Sequence, residues 1–159
     1  MKKITLLIVS AALFASATTA PLAAQEQPIS LVGDVKVEKT VADEAGQPKT
    51  VLVDPDLVVP GDRLIFGTDY RNNGAEAVAN FVMTNPVPAA VRLAPDADAD
   101  LTVSVDGGAS WGTLAELTVT AEDGSTRSAE HADVTHIRWT LAAVDPGASG
   151  RLQYPAIIR

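Results

Sequence analysis

The amino-acid sequence predicts an all-β chain: a two-sheet antiparallel sandwich of seven or eight strands, preceded by a cleaved signal peptide. Three observations carry this expectation. Short runs of Val, Leu, Ile and Thr recur along the chain, and 11 glycines and 10 prolines fall between them as punctuation. No helical periodicity of useful length follows Ala24. The chain of 159 residues is 47% hydrophobic and has no cysteine, which suits one packed domain and excludes disulfide stapling and thiol chemistry.

The start reads as an export signal. Lys2 and Lys3 precede an apolar run from Ile4 to Phe14, and small residues follow as far as Ala24. The run is shorter than the roughly 20 residues a membrane-spanning helix needs. Cleavage after Ala24 is expected, with Ala15-Ser16-Ala17 as a competing site. The division is therefore residues 1–24 as signal peptide and residues 25–159 as a single sandwich domain. No cysteine can accept a lipid and no second apolar stretch of spanning length follows, so the product is expected in the periplasm or outside the cell, with no integral membrane segment.

Removing residues 1–24 takes away two lysines and no acid, leaving 10 basic against 20 acidic residues, a formal charge of −10. Such a chain repels phosphate backbones, so nucleic acid and anionic lipid are not expected as partners.

The strands follow in order. Residues 31–41 set Val35 and Val37 against Lys36 and Glu38, one face apolar and one solvated. Residues 50–53 make a second run, closed by Asp54-Pro55. Pro60-Gly61-Asp62 turns the chain into residues 63–72, where Leu64, Phe66, Thr68 and Tyr70 share one parity. Asn72-Asn73-Gly74 then predicts a turn through positive φ and a hairpin with residues 77–84. Pro86 and Pro88 end that strand. Further strands are expected at 91–93, 101–105, 114–121, 134–144 and 151–158. Trp139, sharing a face with Ile137 and Leu141, is the expected core anchor. Pro155 would remove a ladder donor from a central strand, so the last strand is expected at a sheet edge. Phe66, Tyr70, Trp139 and Tyr154 fall at core positions, which leaves Phe81 and Trp111 as the candidate exposed aromatics.

Val59-Pro60-Gly61-Asp62, Tyr70-Arg71-Asn72-Asn73-Gly74, Asn85-Pro86-Val87-Pro88, Ser104-Val105-Asp106-Gly107-Gly108, Thr135-His136-Ile137-Arg138-Trp139 and Pro146-Gly147-Ala148-Ser149-Gly150 occur in that order. Over roughly residues 31–159 the chain resembles the bacterial conserved-repeat domain of unknown function found in surface and secreted proteins. The resemblance implies an immunoglobulin-like sandwich with no catalytic residues. Members often occur as repeats in long chains, whereas this sequence holds one copy.

Few residues invite chemistry. Residues 104–111 match the Asp-box pattern, Ser-x-Asp-x-Gly-x-Thr/Ser-Trp, a hairpin device in which a carboxylate accepts backbone N–H bonds above a tryptophan. Asp96, Asp98 and Asp100 alternate and, with Asp106, could crowd towards calcium, although Leu101 and Gly107 stand where an EF-hand loop requires Gly and Glu. His131 and His136 lack zinc-motif spacing. Glu116, Glu122 and Asp123 could be imagined as a carboxylate pair for glycoside hydrolysis, but the sequence gives no separation between them and acidic loops are mostly solvated. No nucleophile elbow and no phosphate-cradling glycine loop occur. The expectation is a non-enzyme without catalytic residues, cofactor or metal. Its role would be an exported structural or protein-interaction module of the cell envelope, with another envelope or surface protein as partner. The alternatives are a cation- or glycan-binding extracytoplasmic domain and a minimal hydrolase.

Overall fold

The computed structural model describes residues 28–159, and the expected signal peptide lies outside the described residues. The described chain is all-β. It has ten strands and two short 3-10 turns, Leu114–Glu116 and His131–Asp133. The strands are β1 (Ile29–Ala42), β2 (Pro48–Val53), β3 (Arg63–Asn72), β4 (Val78–Pro86), β5 (Val91–Leu93), β6 (Thr102–Ser104), β7 (Thr118–Thr120), β8 (Thr126–Ser128), β9 (His136–Val144) and β10 (Ser149–Ile158). Five form one sheet in the order β2-β1-β3-β10-β5, three form a second in the order β4-β9-β6, and β7-β8 stand apart as a hairpin. Every pairing is antiparallel. The two larger sheets hold eight strands and share one core in a sandwich-like arrangement, and the β7-β8 hairpin brings the described total to ten, above the seven or eight expected.

That core draws Val37, Leu64, Leu93, Tyr154 and Ala156 from the first sheet and Val103 and Ile137 from the second. The period-2 pattern selects them: Leu64 and Phe66, and Tyr154 and Ala156, each sit two apart, where successive side chains of one parity face the same way. Tyr154, 1% exposed, is the largest fully buried side chain and stacks on Phe66, with ring centroids 5.0 Å apart and planes 5° from parallel. Trp139 packs against this core but stays half-buried, so the anchors are Ile137 and Tyr154. In β1 only Val37 is buried, and Leu31 and Val32 are exposed at 48% and 65%.

The turn chemistry is local and follows the sequence. Val59-Pro60-Gly61-Asp62 closes with the Asp62 N–H donating to the Val59 carbonyl at 3.0 Å, and Gly61 sits at φ +94°. Asp145-Pro146-Gly147-Ala148 repeats the device, with Gly147 at φ +76°. Proline sets the first central position of such a turn and glycine supplies the positive φ of the second.

Four expectations are corrected. Strands β3 and β4 do not form a hairpin, because β3 lies in the five-stranded sheet and β4 in the three-stranded one; the chain crosses between sheets at 73–77. Gly74 is absent from the positive-φ residues there. Its lack of a side chain makes room instead, since a Cβ would stand 2.9 Å from that of Pro28. The stretch 114–121 opens as a 3-10 turn, leaving only β7, whose partner β8 (Thr-Arg-Ser, wholly exposed) has no apolar alternation to announce it. Pro155 lies in an inner strand, paired with Ile65 of β3. Its carbonyl accepts from Ala94, one residue beyond the end of β5. In an extended strand N–H and C=O of one residue point the same way, so the missing donor falls on the side of Ala94, where the β5 ladder ends, and the ladder with β3 loses no bond.

Candidate functional site

Three features of the surface could engage another molecule, and each follows from how the strands end.

The first is an open flank. Strand β1 pairs with β3 along 29–37, but β2 covers its other side only along 37–42. Among the described residues, no strand pairs with 29–36 on that side. Leu31 and Val32 stand exposed in this stretch. The other long edge, β4, carries guards: Asn80 is the one non-glycine residue at positive φ (+50°) among the described residues, the ladder skips it between Ala79 and Phe81, and Pro86 ends the strand. Kinks and prolines of this kind obstruct edge pairing.

The second feature is the Asp-box loop, folded as the motif requires. Asp106 accepts from the Ser110 hydroxyl at 2.5 Å, the Ser110 N–H at 2.9 Å and the Ser104 hydroxyl at 2.7 Å, and these bonds hold its carboxyl well below the usual carboxylate range. Gly107 and Gly108 take φ of +76° and +93°. The Trp111 indole N–H donates to the Gly108 carbonyl at 2.9 Å. Arg138 of β9 lies over the Trp111 ring with its guanidinium carbon 3.6 Å from the centroid, and the His136 ring meets the same indole edge-on at 6.3 Å. Trp111 is half-buried, as is Phe81, so neither is a free aromatic.

The third feature is an apolar cavity of about 390 Å³ at one end of the core, walled chiefly by Leu93, Leu101, Val103 and Leu114, with Asp98 and His131 as its charged or titratable lining.

Most of the acidic candidates are spent on structure, the carboxylates of Asp100 and Glu122 excepted. Asp96 forms a two-pronged ion pair with Arg63 at 2.6 and 2.9 Å, which lowers its pKa. Asp98 accepts the Asp100 N–H at 3.0 Å, and Asp106 belongs to its own loop. Among the described residues no three His, Cys, Asp or Glu side chains gather as a metal would require. Glu116 accepts from the Thr113 hydroxyl and N–H, and Asp123 from those of Ser125, so both close local turns. His136 contacts the Thr135 hydroxyl at 3.1 Å, and His131 opens its 3-10 turn at the cavity wall. Sequence reasoning missed the open flank of β1 and the Arg138–Trp111 stack. The first needs the pairing register. The second joins residues 27 apart, with no local signal beyond the tryptophan of the Asp-box.

Among the described residues no helix is long and apolar enough to cross a membrane. No family model, no curated protein and no solved structure matches the chain.

Proposed function

We infer that this chain is a non-catalytic, exported interaction module of the cell envelope, with an immunoglobulin-like sandwich as its scaffold and another envelope or surface protein as its partner. The observation that carries the reading is the unpaired side of β1 along residues 29–36. Its unpaired backbone groups would accept an added strand, and Leu31 and Val32 would bury against the arriving side chains. Export is supported by the Lys2-Lys3 start and the apolar run to Phe14. The non-catalytic reading is supported by Asp96, Asp106, Glu116 and Asp123, whose carboxylates are each engaged in an ion pair or a local turn.

The test places a photo-crosslinking residue at Val32 or at Val82 of the full chain, expressed in its own cells. Supporting results are processing near Ala24, recovery outside the cytoplasm, and a discrete protein adduct from position 32 that disappears when Leu31 is changed to Lys. An unprocessed cytoplasmic chain overturns the export reading. Equal adducts from positions 32 and 82, or none from 32, overturn the strand-addition reading.

A further inference from the structure

The two outer faces of the sandwich are chemically unlike. On the five-stranded sheet, Arg151 bridges Asp34 and Asp69, Lys36 meets Asp54, and Arg63 meets Asp96 and Glu38, so three of its basic side chains are paired with acids. On the three-stranded sheet, Thr84, Arg138 and Thr102 form a cross-strand row on β4, β9 and β6, with His136 and Thr140 before and after Arg138 on the same face. No acid occupies any of these positions in a chain with 20 acids. Among the described residues no carboxylate lies within ion-pair distance of Arg138, Arg71, Arg92 or Arg159, whereas Arg63, Arg127 and Arg151 each hold at least one; of the four without, Arg138 alone lies over an aromatic ring.

Arg138 is nevertheless held in place. With its carbon 3.6 Å from the Trp111 centroid, the guanidinium meets the ring by its flat face, and that contact does not consume the N–H donors on its rim. Among the described residues only Nε has a hydrogen-bond partner, the Thr84 hydroxyl at 3.4 Å. The tryptophan beneath is fixed by its bond to Gly108 and by the Asp106 loop, so the fork does not have to be ordered when an anion arrives.

We propose that this face binds a uronate, a carboxylate carried on a polyhydroxy ring. The rim of Arg138 matches a carboxylate two-pronged, and the hydroxyls of Thr84 and Thr102 both donate and accept, as sugar hydroxyls demand. The formal charge of −8 on the whole chain opposes polyanions, so the ligand carries one carboxylate among neutral hydroxyls.

The experiment titrates galacturonate, its methyl ester, galactose, acetate and a blocked aspartyl peptide into isotopically labelled full chain. It follows the Arg138 Nε–H and Trp111 indole N–H by NMR. Saturable, millimolar binding of galacturonate is expected, with about tenfold or greater weakening for the ester and for Arg138→Lys, which keeps the charge but loses the fork. Thr84→Val is expected to weaken galacturonate and leave acetate unchanged. Equal binding of the ester or of galactose overturns recognition of the carboxylate. Acetate or the peptide binding as tightly as galacturonate overturns the saccharide class, and no saturable shift overturns the site. The ligand series on the unaltered protein decides the matter even if a variant fails to fold.

Discussion

The buried amide of Asn72 donates to the carbonyl of Val144, 72 residues along the chain, at 2.8 Å. The same nitrogen donates to the Glu76 carbonyl at 2.8 Å, and its Oδ1 accepts the Gly74 N–H at 2.9 Å. The Asn72 backbone also exchanges bonds with Gly147 and Ala148. One side chain therefore ties the end of β3 to the crossover after it and to the end of β9 in the opposite sheet.

Asn72→Ala removes these bonds and leaves polar backbone groups unmet in a dry site. The expected cost is about 3 kcal/mol, or roughly a 10 °C drop in Tm, measured by thermal and urea unfolding. Asn72→Asp should be worse than Ala at neutral pH, because a carboxylate cannot donate to the Val144 and Glu76 carbonyls. An unchanged melting temperature for Asn72→Ala is incompatible with the brace.

Two glycines in the large sheet should respond differently to alanine. At Gly150 a Cβ would stand 2.5 to 2.9 Å from the Tyr70 phenol, a stiff ring lying across the strand, so overpacking should cost about 2 kcal/mol. At Gly67 the obstacle is the Arg151 guanidinium, the end of a flexible side chain whose exposed ion pairs with Asp34 and Asp69 are worth under about 1 kcal/mol. The restraint alanine places on the unfolded chain offsets part of that loss. Urea midpoints of the two variants should therefore differ clearly, with Gly150→Ala the lower.

Acid should loosen the Asp106 loop. Its pKa is depressed in the fold by Ser110 and Ser104, so the stability it contributes is complete above the unfolded-chain value of 3.8 and declines as pH falls towards the lower folded value. Asp106→Asn lacks this titration. The urea midpoint of the variant should lie below that of the parent at pH 7, and the gap should narrow between about pH 4 and pH 2. A gap independent of pH would exclude the loop as the source.

Alkali acts on Tyr154 with the opposite sign. Burial pushes its phenol from 10.0 up to about 12, so the fold holds the proton more tightly than the unfolded chain does. Stability from this group is full below the unfolded value and is lost as pH rises through the folded one. Its hydroxyl meets the Pro86 carbonyl only at 3.4 Å, so Tyr154→Phe should cost under about 1 kcal/mol at pH 7. At pH 11 the variant should be the more stable of the two in urea, once both curves are corrected for the general effect of alkali on a third, unrelated variant.

Much of the local structure was legible in the residues. Val59-Pro60-Gly61-Asp62 turns as read, residues 63–72 and 91–93 are strands over those bounds, and the Asp-box folds on its own serines and glycines. The misreadings share a cause. Asn72-Asn73-Gly74 was expected to close a hairpin through positive φ, but Asn72 works through its amide and Gly74 through its small size. Pro155 was expected at an edge, yet an inner strand tolerates it because β5 is three residues long. For the candidate sites, the acids at 96–106 were visible, and their dispersal to Arg63, Asp100 N–H and Ser110 was not.

By itself the sequence determined the all-β class, most strand positions and the chemistry of each turn, because alternation, proline and glycine geometry and short side-chain bonds act within a few residues. Only the tertiary structure decided which sheet each strand joins, which flank of β1 stays open and which arginines find a carboxylate. These depend on pairings between residues far apart in the chain, where register and sheet assignment follow from packing of the whole core and not from any local pattern.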